Sequence, residues 1–236
     1  MQDINEYRKL FSSNFSKNHL IILGINNFVF ENDGKEKKYY NSFVTLNNEL
    51  EVLSIYNKIN LVPFGEFLPF ENFFSNFGFK KITWGYNSFS KGKERKIINL
   101  GNNFKNKLII PLICYDIIYS GRIKNKIQMP DLTINISEDA WFGRSIGPHQ
   151  HFTKAIYRSV EEGIFIARSA NKGISAFIEP SGKIIKSLYT GESGNIELNF
   201  PHFERSTLFS QYGNKIFFLI ILLYILLTLI LKKFKI

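Results

Sequence analysis

Short apolar runs separated by polar turn residues occur through most of the chain and predict an alternation of strands and helices. Residues 19–30 predict a buried strand that runs into an exposed one. Further strands are expected at residues 39–46, 51–56, 97–100, 107–114, 131–137, 174–178, 183–188 and 194–198. The strands at 174–178 and 183–188 form a hairpin around Pro180-Ser181-Gly182.

Two segments have the spacing of helices. Apolar or small residues recur every three or four positions over residues 150–168, which predicts a helix packed on a sheet, with Pro148 as its start signal. A short helix is expected over residues 5–15, and residues 63–85 predict an irregular loop. Apolar strands with helices between some of them indicate a layered α/β sandwich, which we expect to be one domain over residues 1–211.

The last segment of the chain, residues 212–236, has a different character. Residues 216–231 contain no charge, and as a helix they cover about 24 Å of the ~30 Å hydrocarbon core. Lys215 and Lys232 can snorkel to extend this span. A buried core helix is less favoured because the segment is apolar on all sides. The trailing lysines predict a membrane helix with a cytoplasmic C-terminus and the preceding residues on the opposite side.

Charge and the N-terminus narrow the function classes. The net charge is +10, but the lysines are scattered through loops without the aromatic–basic pattern of RNA-binding modules. We therefore expect a solvated basic surface and no nucleic-acid partner. Residues 1–17 are polar and show no signal peptide.

Cys114 is the only cysteine, so it cannot form an internal disulfide. It either packs as a small hydrophobe or acts as a nucleophile. It ends the apolar run 107–114, and in layered α/β folds the carboxyl ends of strands display reacting groups. A reactive thiol also needs a nearby base or cation.

Histidine is not the expected partner of this thiol. His149 and His151 lie at the start of the predicted helix, where a capping or surface role is favoured, and His19 and His202 have no motif around them. Neither metal-ligand spacing nor a glycine-rich phosphate loop occurs, so we expect no metal and no organic cofactor.

A lysine with a carboxylate is the remaining candidate pair. Lys58 follows a predicted strand and enters the irregular loop, and Glu66 comes eight residues later. This pair could supply a cation and a carboxylate to a site. Spacing alone favours a solvated surface pair.

Four motifs carry a family resemblance: YNKINLVPFGEFLPF, LICYD, ISEDAWFGRSIGPHQHF and RSANKGISAFIEPSGKI. Together they resemble the nitrilase (carbon–nitrogen hydrolase) superfamily, and within it the bacterial apolipoprotein N-acyltransferase family. The resemblance covers residues 15–231. It implies a nitrilase-like α-β-β-α sandwich followed by one C-terminal transmembrane helix.

The resemblance also implies roles for single residues. Cys114 would be the nucleophile, Lys58 would stabilise the oxyanion, and Glu66 would support the site. Trp141 and Phe142 would line its edge and contact substrate. The resemblance implies no metal.

Two positions and the expected loss of one strand depart from the family pattern. Asp116 lies where a glutamate is usual, and Glu138 replaces an asparagine. The general-base glutamate of the family belongs to a strand that would precede Met1, so the domain is expected to be truncated and to lack its first strand. Two of the three expected catalytic residues are therefore present.

The activity implied by the resemblance is acyl transfer. A fatty acyl group would pass from a phospholipid to Cys114 as a thioester, and then to the N-terminal diacylglyceryl-cysteine of an apolipoprotein, the last step of lipoprotein maturation. The catalytic domain would lie in the periplasm on the bacterial inner membrane. The phenylalanine-rich residues 67–79 would grip acyl chains or form a lid over the core.

Two alternatives stay open. The first is a membrane-tethered nitrilase-type amidase. The second is a catalytically impaired fragment or split-gene subunit that works with a separate N-terminal chain.

Overall fold

The structure is a computed structural model that describes residues 4–31, 36–70, 88–121, 123, 130–200 and 206–233. The helices are α1 (Ile4–Asn14), α2 (Gly147–Glu162), α3 (Leu208–Tyr212) and α4 (Lys215–Lys233). The strands are β1 (Ile21–Glu31), β2 (Glu36–Leu46), β3 (Val52–Asn57), β4 (Ile98–Asn99), β5 (Leu108–Ile113), β6 (Leu132–Glu138), β7 (Phe165–Asn171), β8 (Ser175–Ile178) and β9 (Ile184–Leu188).

The strands form two sheets. Strands β1, β2 and β3 make an antiparallel sheet in that order. Strands β4 to β9 make a second sheet, also in chain order. In it β5, β6 and β7 are parallel to one another, and the outer pairs are antiparallel. Because parallel strands end at one edge, the residues after β5, β6 and β7 are brought close together.

Strand β5 separates two hydrophobic cores. Ile109 and Ile113 pack with Phe43 and Tyr56 between the two sheets. The alternate β5 residues face the other way and pack against α2, as the period of two requires. This second core contains Ile110, Leu112, Ile117, Ile123, Phe152, Ala155, Ile164, Ile166, Ile174, Ala176 and Ile178. The predicted layered α/β sandwich is therefore confirmed.

The predicted helix over residues 150–168 is wrong at its C-terminal end. Helix α2 ends at Glu162, and Gly163 adopts the left-handed conformation (φ 61°) that terminates helices. The following Phe165–Asn171 is strand β7 in the middle of the sheet. The apolar residues of β7 happen to continue the helical spacing, so periodicity alone did not separate the two elements.

Other predictions have mixed outcomes. Helix α1 and the β8–β9 hairpin are confirmed. Strand β1 is mostly exposed along its length, so the predicted buried first half is wrong. Residues 194–198 are not a strand. Most of the phenylalanine-rich segment 67–79 lies outside the described residues.

Helix α4 contains 19 residues, is apolar, and is long enough to cross a membrane. At 1.5 Å per residue it spans about 28 Å. Its side chains are exposed, and it ends at Lys232 and Lys233. Helix α3, capped by the Thr207 hydroxyl, immediately precedes it. The prediction of one apolar C-terminal helix is confirmed.

Candidate active site

Cys114 lies at the carboxyl end of β5, where the chain turns into a 3₁₀ helix over Cys114–Ile118. It is partly exposed, and its backbone has φ 47°. A residue other than glycine in this left-handed region costs about 1–3 kcal/mol, which the surrounding contacts must offset. The turn thus displays the sulfur at the edge of the sheet while its backbone is held under strain.

Asp116 anchors this turn from inside the protein. Its carboxylate is 0% exposed and accepts hydrogen bonds from the Tyr56 hydroxyl (3.2 Å), the Ile113 amide (3.2 Å) and the Asn60 amide group (3.0 Å). Arg95 forms an ion pair with it at 3.3 Å. Asp116 therefore fixes the Cys114 turn to β3 and to the segment that follows β3.

The Tyr56 hydroxyl depends on the same contact. Burial raises the pKa of Tyr56 far above its ordinary value, and the negative charge of Asp116 raises it further, against the opposing charge of Arg95. The phenol therefore stays protonated and donates its hydrogen to Asp116.

Removing the Asp116 carboxylate should strongly destabilise the fold. Asp116→Ala leaves Arg95 and three donors without their acceptor, and we expect the free energy of unfolding to fall by about 3 kcal/mol. Melting of the purified chain in detergent measures this change. Glu31→Ala, which removes a partly exposed partner of Lys38, is the control and should cost less than about 1 kcal/mol. Equal effects of the two variants would contradict the anchoring role.

Lys58 is buried, with 1% of its surface exposed. Its ammonium group donates to Glu66 Oε2 at 2.7 Å. Glu66 also accepts from the Asn41 side chain at 2.7 Å and from the Val62 amide at 2.8 Å. The alternative of a solvated surface pair is therefore wrong. The structure holds the lysine and the glutamate as one fixed ion pair.

Lys58 and Cys114 lie at the same end of the sandwich. Tyr56 and Asn60, two residues before and after Lys58, both bind Asp116, which is two residues after Cys114. Cys114 also packs against the core cluster that contains Tyr56. The segment that carries the ammonium group is thereby held against the turn that carries the thiol.

Three buried polar residues, Asp139, His151 and Arg168, form a second group beside Cys114. His151 Nδ1 is 2.9 Å from Asp139 Oδ1, and Arg168 donates to Asp139 Oδ2 at 2.7 Å. His151 Nε2 is 3.2 Å from the Cys114 carbonyl oxygen. The Cys114 sulfur, an Asp139 oxygen and a His151 ring nitrogen all lie within 4.8 Å of one another.

His151 is 4% exposed, so its predicted capping or surface role is wrong, whereas His149 is exposed as expected. The sequence does contain a signal for this burial. His151 shares the buried face of α2 with Pro148, Phe152 and Ala155. A histidine on that face must find polar partners inside the protein.

Arg168 was missed because it was assigned to the end of a helix. It lies in β7 and is buried, donating to the Ile174 carbonyl and to the Asn135 side chain. Burial lowers the pKa of the Arg168 guanidinium, and the negative charges of Asp139 and of a Cys114 thiolate oppose that shift. Arg168 is therefore a buried cation within electrostatic reach of the thiol.

Asp139 is the anion that compensates these donors. Burial alone would raise its pKa, but the hydrogen bond from His151 and the charge of Arg168 outweigh burial and lower the pKa below its ordinary value. The chain approaches the carboxylate closely at Gly173, where an added Cβ would collide with Asp139 Oδ2. Glycine at this position leaves room for the buried carboxylate.

The lowered pKa of Asp139 predicts that the folded state loses stability at acidic pH. The unfolded carboxyl takes up a proton near about pH 3.9, before the folded one does. The stabilisation is therefore present above that pH and is lost as the pH falls through the lower folded pKa. The melting temperature should fall between about pH 5 and pH 2, and less steeply in Asp139→Asn. A slope that is unchanged in Asp139→Asn would contradict this assignment.

The 3₁₀ turn Ala140–Phe142 carries the predicted edge residues. Trp141 is 66% exposed. Phe142 packs edge-on against the His151 ring, with 5.6 Å between centroids. Glu138 accepts from Asn171 and from the Ala140 amide, so it braces this turn. Both aromatic side chains lie on the turn that leads from β6 to the His151 helix.

Cysteine, aspartate and histidine are metal-ligating residue types, but here Asp139 and His151 are hydrogen-bonded to protein groups. Asp139 is already paired with Arg168 and His151, and His151 faces the Cys114 carbonyl. Within the described residues, this group forms a hydrogen-bonded support for the Cys114 turn.

The family model for carbon–nitrogen hydrolases matches residues 3–199, most of the chain. The chain belongs to the carbon–nitrogen hydrolase family. Its α/β layers are also seen in a double mutant of the amidase from Nesterenkonia sp. AN1 in complex with acrylamide, with a TM-score of 0.50 and 14% identity over 79% of this chain and 62% of that chain. That likeness shows a shared fold alone.

Three curated relatives of this chain are named apolipoprotein N-acyltransferase. The Rickettsia prowazekii protein is 37% identical over 202 residues, 84% of this chain and 40% of its own length. The Caulobacter vibrioides protein is 36% identical over 86% of this chain and 38% of its own length. The Rhodopseudomonas palustris protein is 34% identical over 82% and 36%. The chain thus spans less than half the length of these relatives.

Proposed function

We propose that this chain carries the catalytic domain of an apolipoprotein N-acyltransferase. The observation that carries the proposal is the buried Lys58–Glu66 ion pair, held at the same end of the sandwich as the strained Cys114 turn. Similarity to the three named acyltransferases over more than four fifths of the chain supports it. We assign residues 1–211 to the hydrolase-type domain and 212–236 to a membrane anchor.

The proposed reaction begins with acylation of Cys114. The thiol sulfur attacks the carbonyl carbon of a phospholipid ester, and the Lys58 ammonium stabilises the oxyanion that forms. When the C–O bond breaks, the lysophospholipid leaves with the proton lost by the thiol. The product of this step is an acyl thioester on Cys114.

The second proposed step transfers the acyl group to an amine. The N-terminal amine of a diacylglyceryl-cysteine attacks the thioester carbonyl, again with the oxyanion against Lys58. The C–S bond breaks, the amine loses a proton, and the Cys114 thiol is restored. Glu66 keeps the Lys58 ammonium in place through both steps because it binds it at 2.7 Å.

Proton transfer needs a base. The named relatives extend well beyond the matched region, and the resemblance assigns the base to a glutamate outside it. We propose that a segment outside residues 1–236, in the same polypeptide or in a separate chain, supplies this glutamate.

The proposed setting is the bacterial inner membrane. Helix α4 is the anchor, and its terminal Lys232 and Lys233 favour a cytoplasmic C-terminus, with the catalytic domain in the periplasm. This placement brings the domain next to its proposed acyl donor, a membrane phospholipid, and next to membrane-anchored apolipoproteins.

An acyl-transfer assay tests the proposal. Source membranes are incubated with a phospholipid labelled in its acyl chain and with a diacylated lipopeptide that has a free N-terminal amine. We expect label in the lipopeptide amide, and none in membranes that carry Cys114→Ser. Hydrolysis of simple amides without transfer to the lipopeptide would instead identify a membrane-tethered amidase.

A further inference from the structure

The contacts of the buried histidine beside Cys114 determine which ring atoms carry hydrogen. His151 Nε2 faces the Cys114 carbonyl oxygen at 3.2 Å, and a carbonyl oxygen only accepts hydrogen bonds. On the other side, Nδ1 lies 2.9 Å from the Asp139 carboxylate, whose pKa is lowered, and 3.2 Å from the Arg168 guanidinium. The Nε2 nitrogen must therefore donate to Cys114, and Asp139 holds the ring in the orientation that lets it do so.

The carbonyl that His151 contacts belongs to Cys114 itself, whose backbone is strained. Cys114 has φ 47°, and its peptide group links the nucleophile to Tyr115. Because a peptide group is planar and trans, fixing the Cys114 carbonyl also fixes the Tyr115 N–H, which points in the opposite direction. One hydrogen bond from His151 therefore sets the orientation of the whole peptide unit after the sulfur.

The support behind His151 is rigid. Asp139 receives Arg168 at 2.7 Å and the Ser137 hydroxyl at 2.6 Å in addition to His151. Arg168 is in turn fixed by the Asn135 side chain. These residues lie on β6, β7 and the turn after β6, so the imidazole is held by the centre of the six-stranded sheet.

We propose that His151 is a positioning residue for Cys114: it donates from Nε2 to the Cys114 carbonyl and so holds the strained turn in the conformation that presents the thiol. Asp139 orients the imidazole, and Arg168 fixes Asp139. This assignment deepens the proposed function and rests on it for acyl transfer only, because the reactivity of the thiol can be measured without any acyl substrate.

Two substitutions of His151 distinguish the contact made by Nδ1 from the contact made by Nε2. The amide of an asparagine reaches the place of Nδ1, so His151→Asn keeps a donor toward Asp139 and loses the contact with Cys114. The longer glutamine places its amide near Nε2, so His151→Gln keeps the contact with Cys114. The exposed His149, two residues earlier on the same helix, supplies matched controls in His149→Asn and His149→Gln.

The measurement is the rate at which iodoacetamide alkylates Cys114 in the full chain, which contains no other cysteine. We expect His151→Asn to react at least about tenfold more slowly than the parent, because a misplaced reacting atom costs one to two orders of magnitude in rate. His151→Gln should stay within about threefold of the parent, and both His149 variants should be unchanged. Melting temperatures measured in parallel show that each variant is folded.

Equal rates for the Asn and Gln variants, whether both slow or both normal, would overturn the assignment. If the Asn variant does not fold, nitrogen-15 spectra of the histidines in the parent decide the question. The proposal requires a protonated Nε2 on His151, and an unprotonated Nε2 would contradict it. The alkylation rate and the nitrogen-15 spectra use neither phospholipid nor lipopeptide. They therefore test the role of His151 even if the chain acts on other acyl compounds.

Discussion

Replacing Cys114 by serine is expected to abolish formation of the acyl-enzyme intermediate. A serine hydroxyl is a far weaker acid than a thiol and is much harder to activate as a nucleophile. The oxygen differs little in size from the sulfur, so the fold should be unaffected. With labelled phospholipid, the parent should retain label that hydroxylamine releases, and the variant should retain none.

The control for this prediction is chemical as well as genetic. Cys114 is the only cysteine, so a hydroxylamine-labile label in the parent has one possible thioester site. Cys114→Ala should behave like Cys114→Ser. Acyl transfer at a near-normal rate in either variant would show that the nucleophile lies elsewhere.

Loss of the Lys58 ammonium should have the next largest effect. Removing one donor to an oxyanion typically costs about 10²–10³ in turnover, and we expect at least this loss in Lys58→Ala. Lys58→Arg should not restore the rate, because the planar guanidinium places its charge differently from an ammonium. The site also has little room for the longer side chain, since Lys58 is buried against Glu66.

Lys38→Ala is the matched control, since Lys38 also pairs with a glutamate but at the surface. It should turn over like the parent. The rate of acylation by labelled phospholipid is measured beside the melting temperature, because breaking a buried ion pair also destabilises the fold. A fully active and stable Lys58→Arg variant would show that Lys58 does not contact the oxyanion.

Local patterns in the sequence predicted most of the scaffold. The apolar run before Cys114 became β5, with Ile110 and Leu112 against α2 and Ile109 and Ile113 against the other sheet. A strand buried on both faces leaves just this kind of uninterrupted apolar signal. The position of Cys114 at the end of that strand was therefore predictable from the residues alone.

The histidine–aspartate–arginine support was not predictable in the same way. Asp139, His151 and Arg168 come from a turn, a helix and a strand, and only the pairing of β6 with β7 beside α2 brings them together. The error at the end of α2 concealed Arg168, because a helical period continued past Gly163. Contacts between distant parts of a chain depend on the sheet order, which short-range spacing does not encode.

The burial of Lys58 could not be predicted from residue spacing. Eight residues separate it from Glu66, which is compatible with a surface pair as well as with a buried one. The decisive contacts are those of Asn41 and Val62 with Glu66, and of Tyr56 and Asn60 with Asp116. These contacts bury the Lys58–Glu66 pair, because β2 and β5 lie in sheets that face each other.

Peptide mass spectrometry tests the central claim most directly. Source membranes are incubated with a phospholipid that carries a deuterated acyl chain, digested at low pH, and examined for the peptide that contains Cys114. The proposed mechanism predicts that this peptide gains the mass of the deuterated acyl group, and that adding a diacylated lipopeptide with a free amine removes it. A Cys114 peptide that stays unmodified without the lipopeptide, in membranes that deuterate the lipopeptide once it is added, would contradict the mechanism, because acyl transfer would then proceed without the thioester.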